Sequence, residues 1–101
     1  MINLLVFRTD DLPNTVKFFE NLLDLSFVEE QHGNGPVHYS VELNGCIFEI
    51  YPGNPTTNIR LGFKVQNLDK ALSSLDEKII ISKTETNAVI LGPENCKIEL
   101  N

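Results

Sequence analysis

The chain has no apolar run near the roughly 20 residues that a membrane-crossing helix needs. It has no excess of positive charge either: 8 Lys and Arg stand against 14 Asp and Glu, a formal net charge of −6 at pH 7. That balance excludes an overall basic footprint for nucleic acid and a polybasic membrane tail. Cysteine is scarce, and the spacing of Cys46 and Cys96 fits neither C-x-x-C nor a zinc pattern. Nothing points to an oxidising compartment, so the pair reads as two small buried apolar residues rather than a disulfide. The N-terminus runs from Met1 straight into a strand-like segment, with no basic start and no small-residue cleavage site, and a cytoplasmic location is expected. No Ser-His-Asp, Cys-His or phosphate-loop arrangement is visible. Gly33 and Gly35 sit in a turn with no helix following, so they do not support nucleotide binding.

What is present is ordinary globular composition, 42% hydrophobic and 22% charged over 101 residues, enough for a single domain spanning 1–101. Residues 2–9 are β-branched and apolar and read as a strand. Asp11 then caps a helix with Pro13 in its first turn, where no N–H donor is needed. Val16, Phe19, Leu22 and Leu23 give that helix one apolar face. Residues 25–30 form a strand candidate, and 32–36 a Gly-rich turn. Residues 37–43 and 46–51 alternate as strands around Asn44-Gly45, a strong hairpin signal. Phe48 and Ile50 share one face of the second strand; Ile47, Glu49 and Tyr51 share the other. Residues 53–58 read as a linker. Further strands are expected at 59–65, 78–82, 86–91 and 96–100, with a helix after the cap Asn67 carrying Leu68, Ala71, Leu72 and Leu75 on one side.

The two halves repeat. At an offset of 56, Leu5 meets Leu61, Phe7 meets Phe63, Asp11 meets Asn67 and Val16 meets Leu72. At an offset of 50, Cys46 meets Cys96, Phe48 meets Ile98 and Glu49 meets Glu99. Module 1 covers about 1–52 and module 2 about 59–101. The expected fold is therefore α+β, two βαβββ modules in tandem. Each helix covers one sheet face, and a mixed eight-stranded sheet curves around a concave cup with the helices outside.

The segment Leu12 to Leu25, with Phe18-Phe19 and Leu23-Asp24-Leu25, and the segment Gly92-Pro93-Glu94-Asn95-Cys96-Lys97-Ile98-Glu99-Leu100 carry a family signal. Over essentially the whole length the chain resembles the glyoxalase, bleomycin-resistance and extradiol-dioxygenase family, the vicinal oxygen chelate superfamily. The resemblance implies four metal-ligand places, one in the first strand and one in the last strand of each half. They fall on Leu4, Glu49, Arg60 and Glu99. Leu4 has no lone pair to donate and Arg60 stays protonated, so two of the four cannot ligate. The guanidinium of Arg60 is placed instead to bridge Glu99 or Glu49. His32, in the turn, and His38, in a middle strand, are expected to be plain surface or rim histidines.

Alternation assigns the uncovered sheet face. Leu4, Val6, Arg8, Ile47, Glu49, Tyr51, Arg60, Lys64, Lys97 and Glu99 point one way, with His38, Ser40 and Glu42 expected beside them. Four of the eight basic residues (Arg8, Arg60, Lys64 and Lys97) thus share one face of an acidic chain. Two readings follow. That face either recognises a small anionic or polar molecule, with Ile47 and Tyr51 as apolar contacts, or fills with ion pairs to Glu42, Glu49 and Glu99.

The functional expectation is a small-molecule binding protein with a degenerate metal site, no cofactor, no nucleic-acid or membrane partner, and a homodimeric assembly implied by the resemblance. The ligand-binding set is Arg8, Ile47, Glu49, Tyr51, Arg60, Lys64, Lys97 and Glu99. The alternative is a metal-dependent lyase, isomerase or dioxygenase that uses a divalent ion on Glu49 and Glu99. An interaction module with a filled pocket is the third reading.

Overall fold

The computed structural model describes residues 1–101 and places strands β1 (Leu4–Thr9), β2 (Val28–Glu30), β3 (His38–Leu43), β4 (Cys46–Pro52), β5 (Arg60–Phe63), β6 (Ile80–Lys83), β7 (Ala88–Leu91) and β8 (Lys97–Leu100). Helix α1 (Leu12–Leu23) follows β1, and α2 (Leu68–Ser73) follows β5. The strands form two four-stranded mixed sheets, in the orders β1-β4-β3-β2 and β5-β8-β7-β6. Each module keeps its own hydrogen-bonded ladder, and none runs between them.

The repeat holds at the level of register. β1 and β4 run parallel with Leu5 opposite Phe48 and Phe7 opposite Ile50. β5 and β8 run parallel with Leu61 opposite Ile98 and Phe63 opposite Leu100. These are the same pairings carried across by the two offsets.

Helix α1 starts where its cap allows. The Asp11 carboxylate accepts from the Asn14 amide N–H at 3.4 Å and from Asn14 Nδ2 at 2.8 Å. The helix stops at Asp24, whose φ of +53° is the left-handed C-cap conformation that Asp tolerates better than most residues. Asn44 and Gly45, with φ of +49° and +88°, give the tight turn of the β3–β4 hairpin. Helix α2 is shorter than its apolar pattern implies. Ser73 Oγ donates to the Lys70 carbonyl at 2.7 Å in the last turn, a local bond that competes with helix continuation. Leu75 lies beyond the helix end yet still packs on the core.

The inner faces of both sheets and the helices share one apolar core. Phe19 sits at its centre, with ring centroids 5.6 Å from Phe7, 5.1 Å from Phe48 and 6.1 Å from Phe63 of the other module. Two polar bridges also cross between modules: the Asp10 amide donates to Glu94 Oε2 at 2.8 Å, and Lys70 Nζ meets Asp24 at 3.2 Å. A cleft of about 1000 Å³ runs along this seam between the α1 C-terminus, the β3–β4 hairpin and the start of α2. Both cysteines are free, Cys96 buried and Cys46 partly so. Burial pushes the Cys96 thiol up to about 11, which keeps it protonated and inert at neutral pH. No helix is long and apolar enough to cross a membrane.

Candidate functional site

Strand register lines up side chains in rows on the open face of the first sheet. Glu30 of β2 stands opposite His38 of β3, and Arg8 of β1 opposite Tyr51 of β4. The His38 and Tyr51 rings stack at 4.1 Å and 8°, which joins these pairs into one row. The Arg8 guanidinium closes the row 5.4 Å above the Tyr51 ring. The next row is Val28, Ser40, Glu49 and Val6, and the third is Glu42, Ile47 and Leu4. The members that alternation assigned from β1, β3 and β4 share this face; Arg60, Lys97 and Glu99 belong to the second sheet.

His38 departs from expectation. It is 1% exposed, not a surface or rim histidine. The stacked Tyr51 ring covers one side, and the His32 ring, 5.1 Å away, closes over from the 32–36 turn. Its Nδ1 lies 3.2 Å from the Pro36 carbonyl oxygen. A carbonyl only accepts, so Nδ1 is the donor in this bond and Nε2 points the other way. Nε2 lies 3.3 Å from the Tyr51 hydroxyl oxygen and faces Glu30 Oε1 and Glu49 Oε2, each at 3.6 Å. His32, by contrast, is exposed as expected.

In the second module, Arg60, Lys97 and Glu99 lie on the open face of β5 and β8, and Lys64 follows β5. Arg60 Nη2 donates to Glu99 Oε1 at 2.9 Å, with both side chains about half exposed (55% and 54%). The hydrogen bond from Arg60, with its charge behind it, holds the Glu99 carboxyl below the ordinary value; the same contact raises Arg60. The sign of the linkage follows. This pairing favours the folded chain above the carboxyl's unfolded pKa and is lost as pH falls through its lower folded value. An NMR titration of the Glu99 side chain is expected to give a pKa below that of an unpaired Glu, moved back up by Arg60→Ala; no upward movement in the variant would remove the pair from solution.

The predicted ligand set thus divides. Arg8, Ile47, Glu49 and Tyr51 come together on one sheet, and Arg60, Lys97 and Glu99 on the other. Lys64 lines the seam cleft and a smaller one of about 360 Å³ that also contains Glu99. Neither of these clefts is lined by Glu49 together with Glu99.

No family model and no curated protein matches the chain. Solved structures do. The oxidase ChaP-H2 superposes with a TM-score of 0.77 at 16% identity, covering 99% of this chain and 91% of that one. A glyoxalase/bleomycin resistance protein from Albidiferax ferrireducens T118 gives 0.71 at 19% identity, covering 99% and 97%. TnmS3, an antibiotic binding protein from Streptomyces sp. CB03234, gives 0.68 at 17% identity, covering 100% and 93%.

The fold is that of the glyoxalase/bleomycin-resistance proteins. The metal places that this fold implies do not fit a metal in this chain. Leu4 is apolar, Arg60 is a cation, and Glu99 is already engaged by Arg60. Glu49 faces His38 within its own module. Within the glyoxalase/bleomycin-resistance fold, then, the two matched carboxylates are separately partnered.

The row Glu30–His38–Tyr51–Arg8 is the part that sequence reasoning undervalued. The signal was present in the hairpin. Counting outward from the Gly33–Gly35 turn puts Glu30 opposite His38, and alternation already placed His38 with Glu49.

Proposed function

We propose that this chain binds a small anionic or polar organic molecule on the open faces of its sheets, without metal catalysis at the fold's usual metal position. The observation that carries this reading is the state of the basic residues on those faces. Internal neutralisation would require each to meet a carboxylate. Only Arg60 does. Arg8, Lys64 and Lys97 have no carboxylate within 4 Å, in a chain with six more negative than positive charges. Free cations beside exposed apolar surface, here Leu4 and Ile47, suit a ligand with an acidic group and an apolar body. The Tyr51 ring is engaged by both Arg8 and His38 and so holds these groups in the row. The open faces and the seam cleft both leave room for such a molecule, and a homodimer would enlarge either.

The test is a thermal-shift screen of purified protein against small carboxylates, phosphorylated metabolites and antibiotics. A ligand at 100 times its Kd stabilises by about 2.7 kcal/mol, a shift well above noise for a domain of this size. The expected result is a concentration-dependent rise for at least one acidic compound, reduced in Arg8→Ala or Lys97→Ala. No stabilisation by any anionic or polar compound would overturn the reading.

A further inference from the structure

The geometry points to a divalent transition-metal site in module 1, formed by Glu30, His32 and His38 with Glu49 beside them, so that only Glu49 is shared with the fold's usual metal places. The ligand-capable atoms of Glu30, His32 and His38 all lie within 4.8 Å of one another. Three observations separate this cluster from an ordinary ion pair.

The first is the orientation of His38. Its Nδ1 donates to the Pro36 carbonyl, so Nε2, the nitrogen left for a ligand, is directed at the two carboxylates. Metal-binding imidazoles are commonly set this way: one nitrogen donates to a carbonyl, which fixes the tautomer and frees the other to ligate. The second is distance. A protonated imidazole paired with a carboxylate closes to about 2.7–2.9 Å. Nε2 stands 3.6 Å from both Glu30 Oε1 and Glu49 Oε2. Two ligands each about 2.0–2.1 Å from a tetrahedral ion lie about 3.3–3.4 Å apart, much nearer to the observed spacing. The third is charge. Two carboxylates balance a dication, and neither is taken by an arginine or lysine within 4 Å.

His32 completes the shell at little cost. It is exposed in a turn closed by a bond from the Gly35 amide to its own carbonyl, and its ring already lies 5.1 Å from that of His38. Two imidazoles with carboxylate oxygens suit zinc and its neighbours, and suit magnesium or calcium poorly. The site needs no organic ligand, so its success or failure is read independently of the binding function proposed above.

The test uses the full chain, tag-free and stripped with a chelator. Zinc is titrated in competition with a chromophoric chelator, and cobalt(II) is followed by its visible absorption. One zinc per chain is expected, with cobalt bands of a mixed nitrogen and oxygen shell. His32→Ala and Glu30→Gln, both outside the core, should each weaken zinc by about 100-fold or more while leaving the circular dichroism spectrum unchanged. His38→Gln adds the buried ligand where it folds. No zinc uptake by the wild-type chain would overturn the site. So would uptake that survives His32→Ala and Glu30→Gln, or that falls only in Glu99→Gln, which would put the ion on the other module.

Discussion

Phe19→Ala is expected to remove about 3–5 kcal/mol of unfolding free energy, the range for emptying a buried aromatic site. The residue is fully buried, and its ring meets Phe7 and Phe48 of its own module and Phe63 of the other. No single neighbour can swing in to fill the void, because the rings approach from three elements. For a domain whose total stability is on the order of 5–15 kcal/mol, this is a large share. Urea unfolding monitored by circular dichroism measures it. A midpoint shift worth under about 1 kcal/mol would mean that the aromatic cluster repacks freely and does not hold the modules together.

The second large effect comes from a residue with no side chain. A Cβ added at Gly92 would lie 2.6 Å from Ile98 Cδ1 and 2.9 Å from Cys96 Sγ, and both of those residues are fully buried. The backbone there has φ −103°, open to any residue, so the penalty is steric rather than conformational. Gly92→Ala should therefore cost about 1–3 kcal/mol, as overpacking does. Gly62→Ala is the matched comparison. Nothing lies within 4 Å of its added Cβ, and its effect should stay within about 0.5 kcal/mol. Equal thermal shifts in the two variants would refute the packing argument.

Most of the fold was legible because its signals are local. The caps Asp11 and Asn67, the Asn44-Gly45 turn and strict alternation in β3 and β4 each act over a few residues. Alternation also fixed which face Glu49, Tyr51 and Arg8 share, and the register confirms it. Three things were less legible. Helix α2 ends early because of the Ser73 hydroxyl, a competition that apolar spacing does not register. The burial of His38 depends on Tyr51, eight residues beyond the Asn44-Gly45 turn's first strand, and on a loop folding back over it; no property of its own neighbours in the chain encodes that. The division of the strands into two ladders is a long-range outcome that alternation, alike in both modules, does not specify.

The two carboxylates matched by the repeat have different partners. Glu99 in β8 pairs with Arg60, and Glu49 in β4 faces His38. Corresponding positions of the two halves thus have different electrostatic surroundings.

The seam between the modules has a mechanical consequence. Backbone ladders resist sliding and rotation because every hydrogen bond would break together, whereas side-chain contacts yield by changing rotamer. Here packed apolar side chains and two polar bridges span the seam, with no backbone ladder across it. The angle between the two open sheet faces should therefore respond more to single substitutions at Phe63, Asp24 or Glu94 than either ladder does.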